Sequence, residues 1–331
     1  MKKKFLLFML AFCILGTTSC QKAALTDPIT VTGYKLNTYV RIDSYTNVSQ
    51  SVLKECLTLC DTYERLFSRT LSDSTLYQVN HGEQSIIPEE LGTLIQYGLD
   101  YSRLSDGAFD ITIGSVSQLW DFTADTPVVP DLAAIQEALQ YVDYTKVSLT
   151  QQEDKTYRIE MPEHTVIDLG AIAKGYIADR LKDYLLENGV THATINLGGN
   201  VLCIGGKNAS DDFVIGVKKP FTETNEMLVT LHLNDISAVS SGTYERYFYA
   251  DDTFYHHILN PATGYPYDNT LTNVTILCKS SVDGDCLSTT CFALGLDKGM
   301  ELIQSLEDTE AIFVTSDGTI YYSDGMSRYL R

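Results

Sequence analysis

From about residue 35 onward the apolar residues change period repeatedly, from the 3.6 of a helix to the 2 of a strand, and neither pattern runs long enough to build the chain alone. In residues 48–67 one helical face collects Val52, Cys56, Leu59, Cys60, Tyr63, Leu66 and Phe67. Pro88-Glu89-Glu90 opens a second helix to about Leu104, with proline and acids in its first turn. Residues 131–141, 173–188, 285–294 and 298–305 read as further helices. Strands are expected over 34–45, 157–161, 165–168, 193–197, 214–218, 227–233, 244–249 and 271–278, with a closing hairpin of 311–315 and 320–322. Long helices among many antiparallel-looking strands predict an α+β fold of mixed or antiparallel sheets packed by helices, not a regular βαβ sheet.

The N-terminus obeys a different rule. Lys2, Lys3 and Lys4 precede an apolar run over residues 5–16, too short to span a bilayer, and this is the layout of an export signal. Thr17-Thr18-Ser19-Cys20 resembles a bacterial lipoprotein cleavage box. It predicts loss of residues 1–19, lipidation of Cys20, a tether over 20–34 and one domain over 35–331, held on the extracytoplasmic face of the cell membrane. An ordinary secretory signal with Cys20 incidental is the alternative.

The chain has 24 basic and 43 acidic residues, a net charge of −19. Losing the signal removes three lysines and no acid, so the mature chain is more acidic still. Such a body repels nucleic acid, and an anionic ligand needs a local remedy, either a metal ion or a nest of backbone amides. Cys56, Cys60, Cys203, Cys278, Cys286 and Cys291 form no Cys-x-x-Cys pair and have no histidine at zinc-ligand spacing. They read as core or free thiols, although spacing leaves a disulfide open.

Polar and glycine residues concentrate in five blocks, where functional loops usually sit. Ser105 to Thr112 follows a helix, and Gly107 suits either a helix stop with a strand start or a binding loop. Asp168 to Gly175 leads into a helix whose start favours an anion and brings Lys174 there, although it is not a P-loop. Asn196-Leu197-Gly198-Gly199-Asn200 suits a phosphate nest or a β-bulge and does not fit a dinucleotide fingerprint. The fourth block runs from Ser240-Ser241-Gly242 to His256-His257 and its Asn-Pro-Ala-Thr-Gly turn; a histidine there is either a proton acceptor or a structural residue. In the fifth, Asp285 and Thr289 share a helix face four residues apart. As hard oxygen donors they suit Mg²⁺, and the alternative is an Asp favoured by the helix dipole.

The order and wording of these blocks resemble the ApbE family of FAD:protein FMN transferases. The matching stretches are SDGAFDIT (105–112), DLGAIAKGYIAD (168–179), NLGGN (196–200), the SSGTYERYF segment ending at 248, HHILNPATGYP (256–266) and DCLSTTCFALG (285–295). The resemblance implies an α+β fold with an FAD cleft and Mg²⁺ held by Asp285, Thr289 and the backbone carbonyl of Ala171. It implies FAD contacts at Ala108, Phe109, Asp110, Asp168, Lys174 and the backbone of Ile258, with His257 as catalytic base. Thr70 stands where the family often has a flavin-facing tyrosine, Ser240 replaces a commoner threonine, and Asn260 a commoner aspartate. The implied reaction moves FMN from FAD to a Thr or Ser of an acceptor, an extracytoplasmic redox protein, releasing AMP. Hydrolysis of FAD to FMN and AMP, or flavin binding without chemistry, are the alternatives.

Overall fold

The computed structural model describes residues 25–330 apart from 223 and 225, so Cys20 and the signal lie outside the described residues. The chain runs β1 (Ile29–Lys35), β2 (Thr38–Ser44), α1 (Gln50–Phe67), α2 (Thr75–Asn80), β3 (Ile86–Ile87), α3 (Glu89–Leu104), α4 (Gly114–Ser117) and α5 (Leu132–Leu139). It continues through β4 (Ser148–Gln151), β5 (Tyr157–Glu160), α6 (Ala173–Glu187), β6 (Ala193–Leu197), β7 (Asn200–Ile204), β8 (Phe213–Lys218), β9 (Met227–Leu233) and β10 (Ser237–Gly242). Then come β11 (Tyr247–Ala250), β12 (Thr253–His256), β13 (Leu271–Cys278), α7 (Ser281–Gln304), β14 (Glu310–Thr315) and β15 (Ile320–Tyr322).

An eight-stranded sheet, ordered β1-β2-β6-β7-β10-β13-β14-β15, carries the fold, and its pairs are antiparallel. Strand alternation sorts its residues to two faces. Leu202 and Ile204 of β7 join the core under α1, α3 and α6, whereas Cys203 joins the core under the β8–β9 ribbon with Phe213, Leu231 and Leu233. On β14 Phe313 turns to the α7 side while Ile312 and Val314 turn to the ribbon. This is the α+β arrangement expected, sandwiched between helices and a second β layer.

Several boundaries differ from the expectation. β1 begins at Ile29 and pairs with β2, so residues 29–34, read as tether, belong to the sheet. A sharp turn at Leu36-Asn37, both with positive φ, splits the single strand expected over 34–45. Residues 165–168 form no strand and contribute one isolated bridge, Val166 to Ile113. Gly198-Gly199 is neither a phosphate nest nor a bulge. Both have positive φ, and they close the two-residue β6–β7 hairpin between Leu197 and Asn200. The two late helices follow one another without a loop as α7, which starts at Ser281 and is kinked at Gly295 (φ 79°, ψ 177°). Asp285 is therefore in the second turn, outside the helix start where the dipole alone would explain an acid. The six described cysteines are buried free thiols. Burial pushes Cys56, Cys60, Cys203 and Cys291 up to about 12.

Helices α6 and α7 meet at their N-termini, which positions the site. Asp179 of α6 accepts hydrogen bonds from the Ser281 and Val282 N–H groups at 3.0 and 2.9 Å, capping α7 from outside its own sequence. Gly175 makes the crossing close: a Cβ there would lie 2.2 Å from the Ser281 carbonyl oxygen. Gly175→Ala therefore forces the helices apart. It is expected to cost about 1–3 kcal/mol, read as a lower melting temperature together with lost activity.

Candidate active site

The blocks converge because a few hydrogen bonds stitch them together. The N–H of Gly175 donates to the Asp285 carboxylate, joining the second block to the fifth. In a continuing helix that N–H would bond the carbonyl of Ala171, four residues earlier; its turn to Asp285 leaves that carbonyl to another partner. Asp168 N–H donates to the Ile111 carbonyl at 2.8 Å, joining the second block to the first. Tyr267 joins the first to the fourth. Its hydroxyl donates to the Ala108 carbonyl at 2.6 Å, its N–H to the Ile258 carbonyl, and its own carbonyl faces His256 Nε2 at 3.0 Å.

Asp285 is buried, and burial pushes its carboxyl above the usual range while Lys174 and the Gly175 N–H pull it back. The charge of Lys174 acts on Asp285, Glu245 and His257 together. Among the described residues Lys174 has no ion-pair partner, so its ammonium is free to meet an anion. Thr289 is half-buried and its Oγ1 lies 3.1 Å from Ser241 Oγ. Asn200 binds Ser281 Oγ through its Oδ1 at 2.9 Å, and its buried amide nitrogen has no hydrogen-bond partner within reach. That nitrogen lies near enough to Asp285 to favour the carboxylate form.

His257 is half-buried. Its Nδ1 lies 3.3 Å from the Arg246 carbonyl, which can only accept, so the proton sits on Nδ1 and Nε2 is left as a bare acceptor. Desolvation first, then the neighbouring Arg246, His256 and Lys174, lower its pKa from 6.5 to about 3. His256 is the structural member of the pair, buried against Phe292.

Other expected contacts have internal duties. The Asp110 carboxylate accepts from Thr112 N–H and Oγ1, both at 2.7 Å, and from Tyr144 N–H at 3.1 Å, and so pins its own loop. Phe109 is packed in the main core. The Ile258 N–H donates to His256 Nδ1 at 3.3 Å and its carbonyl accepts from Tyr267 N–H at 3.0 Å, which leaves one lone pair of that carbonyl open. Asp168 holds Ser117 Oγ at 2.8 Å and Arg69 at 3.1 Å. That ion pair draws the Ser68-Arg69-Thr70 segment to the second block, with Thr70 exposed beside it. Sequence reading missed Arg69, Tyr267 and the cap made by Asp179; of the three, Asp179 alone lies inside one of the matching motifs.

Asp285, Thr289 and the Ala171 carbonyl are hard oxygen donors with a single carboxylate among them, and the described residues contain no group of three His, Cys, Asp or Glu suited to a metal. Such a set fits Mg²⁺ completed by water and phosphate oxygens, and it does not fit zinc. Elsewhere, a groove of about 1060 Å³ is lined by His81, Gln118, Glu137, Tyr141 and His164, and none of the expected site residues borders it.

The scaffold thus brings a buried carboxylate, a lysine without an ion-pair partner among the described residues and a histidine into one electrostatic neighbourhood, a set chemically suited to an enzyme acting on a phosphoryl group. The chain belongs to the ApbE family, whose profile matches residues 35–313. It is 39% identical over 268 residues to the FAD:protein FMN transferase of Klebsiella pneumoniae, covering 80% of this chain and 82% of that protein. The FAD:protein FMN transferase of Treponema pallidum is 30% identical over 290 residues, covering 83% and 80%. The crystal structure of the ApbE protein of Thermotoga maritima superposes with a TM-score of 0.82 at 31% identity, covering 92% of this chain and 99% of that one.

Proposed function

We propose that the chain is an FAD:protein FMN transferase that links FMN through a phosphoester to a Thr or Ser of an acceptor protein and releases AMP. The observation that carries this reading is the buried Asp285 held by Gly175 and faced by an unpaired Lys174, within electrostatic reach of His257. Asp285, Thr289 and the Ala171 carbonyl would hold Mg²⁺, which when bound neutralises diphosphate charge. Lys174 adds a fixed positive charge toward the same anion. His257 Nε2 takes the proton of the acceptor hydroxyl as its oxygen attacks the FMN-side phosphorus, and the bond to the AMP phosphate breaks. Positioning and charge complementarity supply most of the rate in such transfers.

Lys2 to Lys4 and the Thr-Thr-Ser-Cys20 box support export and lipid anchoring at the extracytoplasmic face of the cell membrane, with redox proteins there as acceptors. Incubation with FAD, Mg²⁺ and such an acceptor is expected to add an FMN-sized mass to the acceptor. AMP release at the same rate without acceptor would instead make the enzyme a hydrolase, the alternative that Thr70 in place of an aromatic leaves open.

A further inference from the structure

We propose that Ser241 is a positioning residue that turns the lone pairs of Thr289 toward the cation, through a one-way chain of hydroxyl protons ending on the Asp285 backbone. This rests on the proposed metal site and goes beyond its ligands. On β10 the side chains alternate, and Val239 packs toward α7, where a Cβ on Gly284 would lie 2.8 Å from it. Ser241, two residues on, shares that face. Its Oγ stands 2.8 Å from Ser288 Oγ and 3.1 Å from Thr289 Oγ1. Ser288 Oγ in turn donates to the Asp285 carbonyl at 3.0 Å.

Proton counting gives the chain its direction. A carbonyl oxygen only accepts, so the single Ser288 proton is committed to it. Ser288 Oγ is then an acceptor, and the Ser241 proton goes to it. Ser241 Oγ must accept in its turn, and the Thr289 proton goes there. With its proton so directed, Thr289 Oγ1 presents lone pairs away from Ser241. A helical threonine otherwise tends to donate to the carbonyl four residues back, here Asp285; Ser288 Oγ and the helical N–H of Thr289 already take the two lone pairs of that acceptor. The same four groups thus tie the threonine ligand to the residue that carries the carboxylate ligand. Bonds in series polarise one another, which raises the basicity of the Thr289 oxygen.

The test uses the intact chain and Mn²⁺ as probe, alone and with ADP as a diphosphate, with free Mn²⁺ followed by electron paramagnetic resonance. Ser241→Ala is expected to weaken Mn²⁺ binding by roughly 10–100-fold. Ser241→Thr keeps the hydroxyl and is expected to restore it, whereas a merely packing role would not be rescued by the larger side chain. Metal-free FAD binding should be unchanged in both. Wild-type Mn²⁺ affinity in Ser241→Ala, or affinity as weak in Ser241→Thr as in Ser241→Ala, overturns the proposal. Asp285→Ala in the same titration separates the two levels. If it too leaves affinity untouched, the metal reading falls and takes the proposal with it; if it abolishes binding while Ser241→Ala does not, the hydroxyl chain alone is wrong.

Discussion

Asp285→Ala is expected to lower FMN transfer by roughly a hundredfold or more, because it removes the charged ligand of the proposed cation that would neutralise the diphosphate. It should also remove the dependence of the residual rate on Mg²⁺. Stability moves much less. The substitution leaves the Gly175 N–H buried without its acceptor, a cost of about 1–3 kcal/mol. It also relieves the burial of a carboxylate whose charge the surroundings disfavour. A large loss of rate at nearly constant melting temperature is the signature expected. Unchanged transfer, or a rate still rising with Mg²⁺ as in the wild type, would remove Asp285 from the metal site.

His257→Ala is expected to cost roughly 10²–10⁴-fold in transfer, the usual worth of a positioned proton acceptor. With its pKa lowered to about 3, His257 is neutral near pH 7. The pH profile of kcat/KM should therefore show no acid limb near 6.5 that disappears in the variant. Stability gives the second readout. The pKa of His257 is lower in the fold than its ordinary value of 6.5, so protons favour the unfolded chain. The associated stability is fully present above 6.5 and is lost as pH falls from there toward about 3; buried His256 acts in the same sense. His257→Gln should accordingly narrow the fall in melting temperature between pH 7 and pH 4. An acid limb near 6.5 carried by His257, or no narrowing, would mean that the imidazole is not desolvated as described.

How far the site could be read in advance depended on the kind of contact. Asp285 and Thr289 were legible because helical spacing alone puts them on one face. Lys174 was legible from its place in the first turn of a helix. Asp110 and Ile258 also bond within the fold, to Thr112 and Tyr144 and to Tyr267, and Tyr144 is too remote in sequence for local pattern to show it. Arg69 and Tyr267 had no local signal at all.

What the sequence determined was period and chemistry. Alternating apolar patterns dictated which segments bury one face, and that decided an α+β fold; the residue types of the glycine-rich blocks decided which oxygens and charges were on offer. Tertiary structure alone decided who meets whom. The crossing of α6 and α7 at Gly175 sets a backbone N–H against Asp285, and Asp179 caps a helix that starts about a hundred residues later. Local propensity acts over a few residues, whereas these contacts exist only once the sheet has folded and brought distant helix ends to one place.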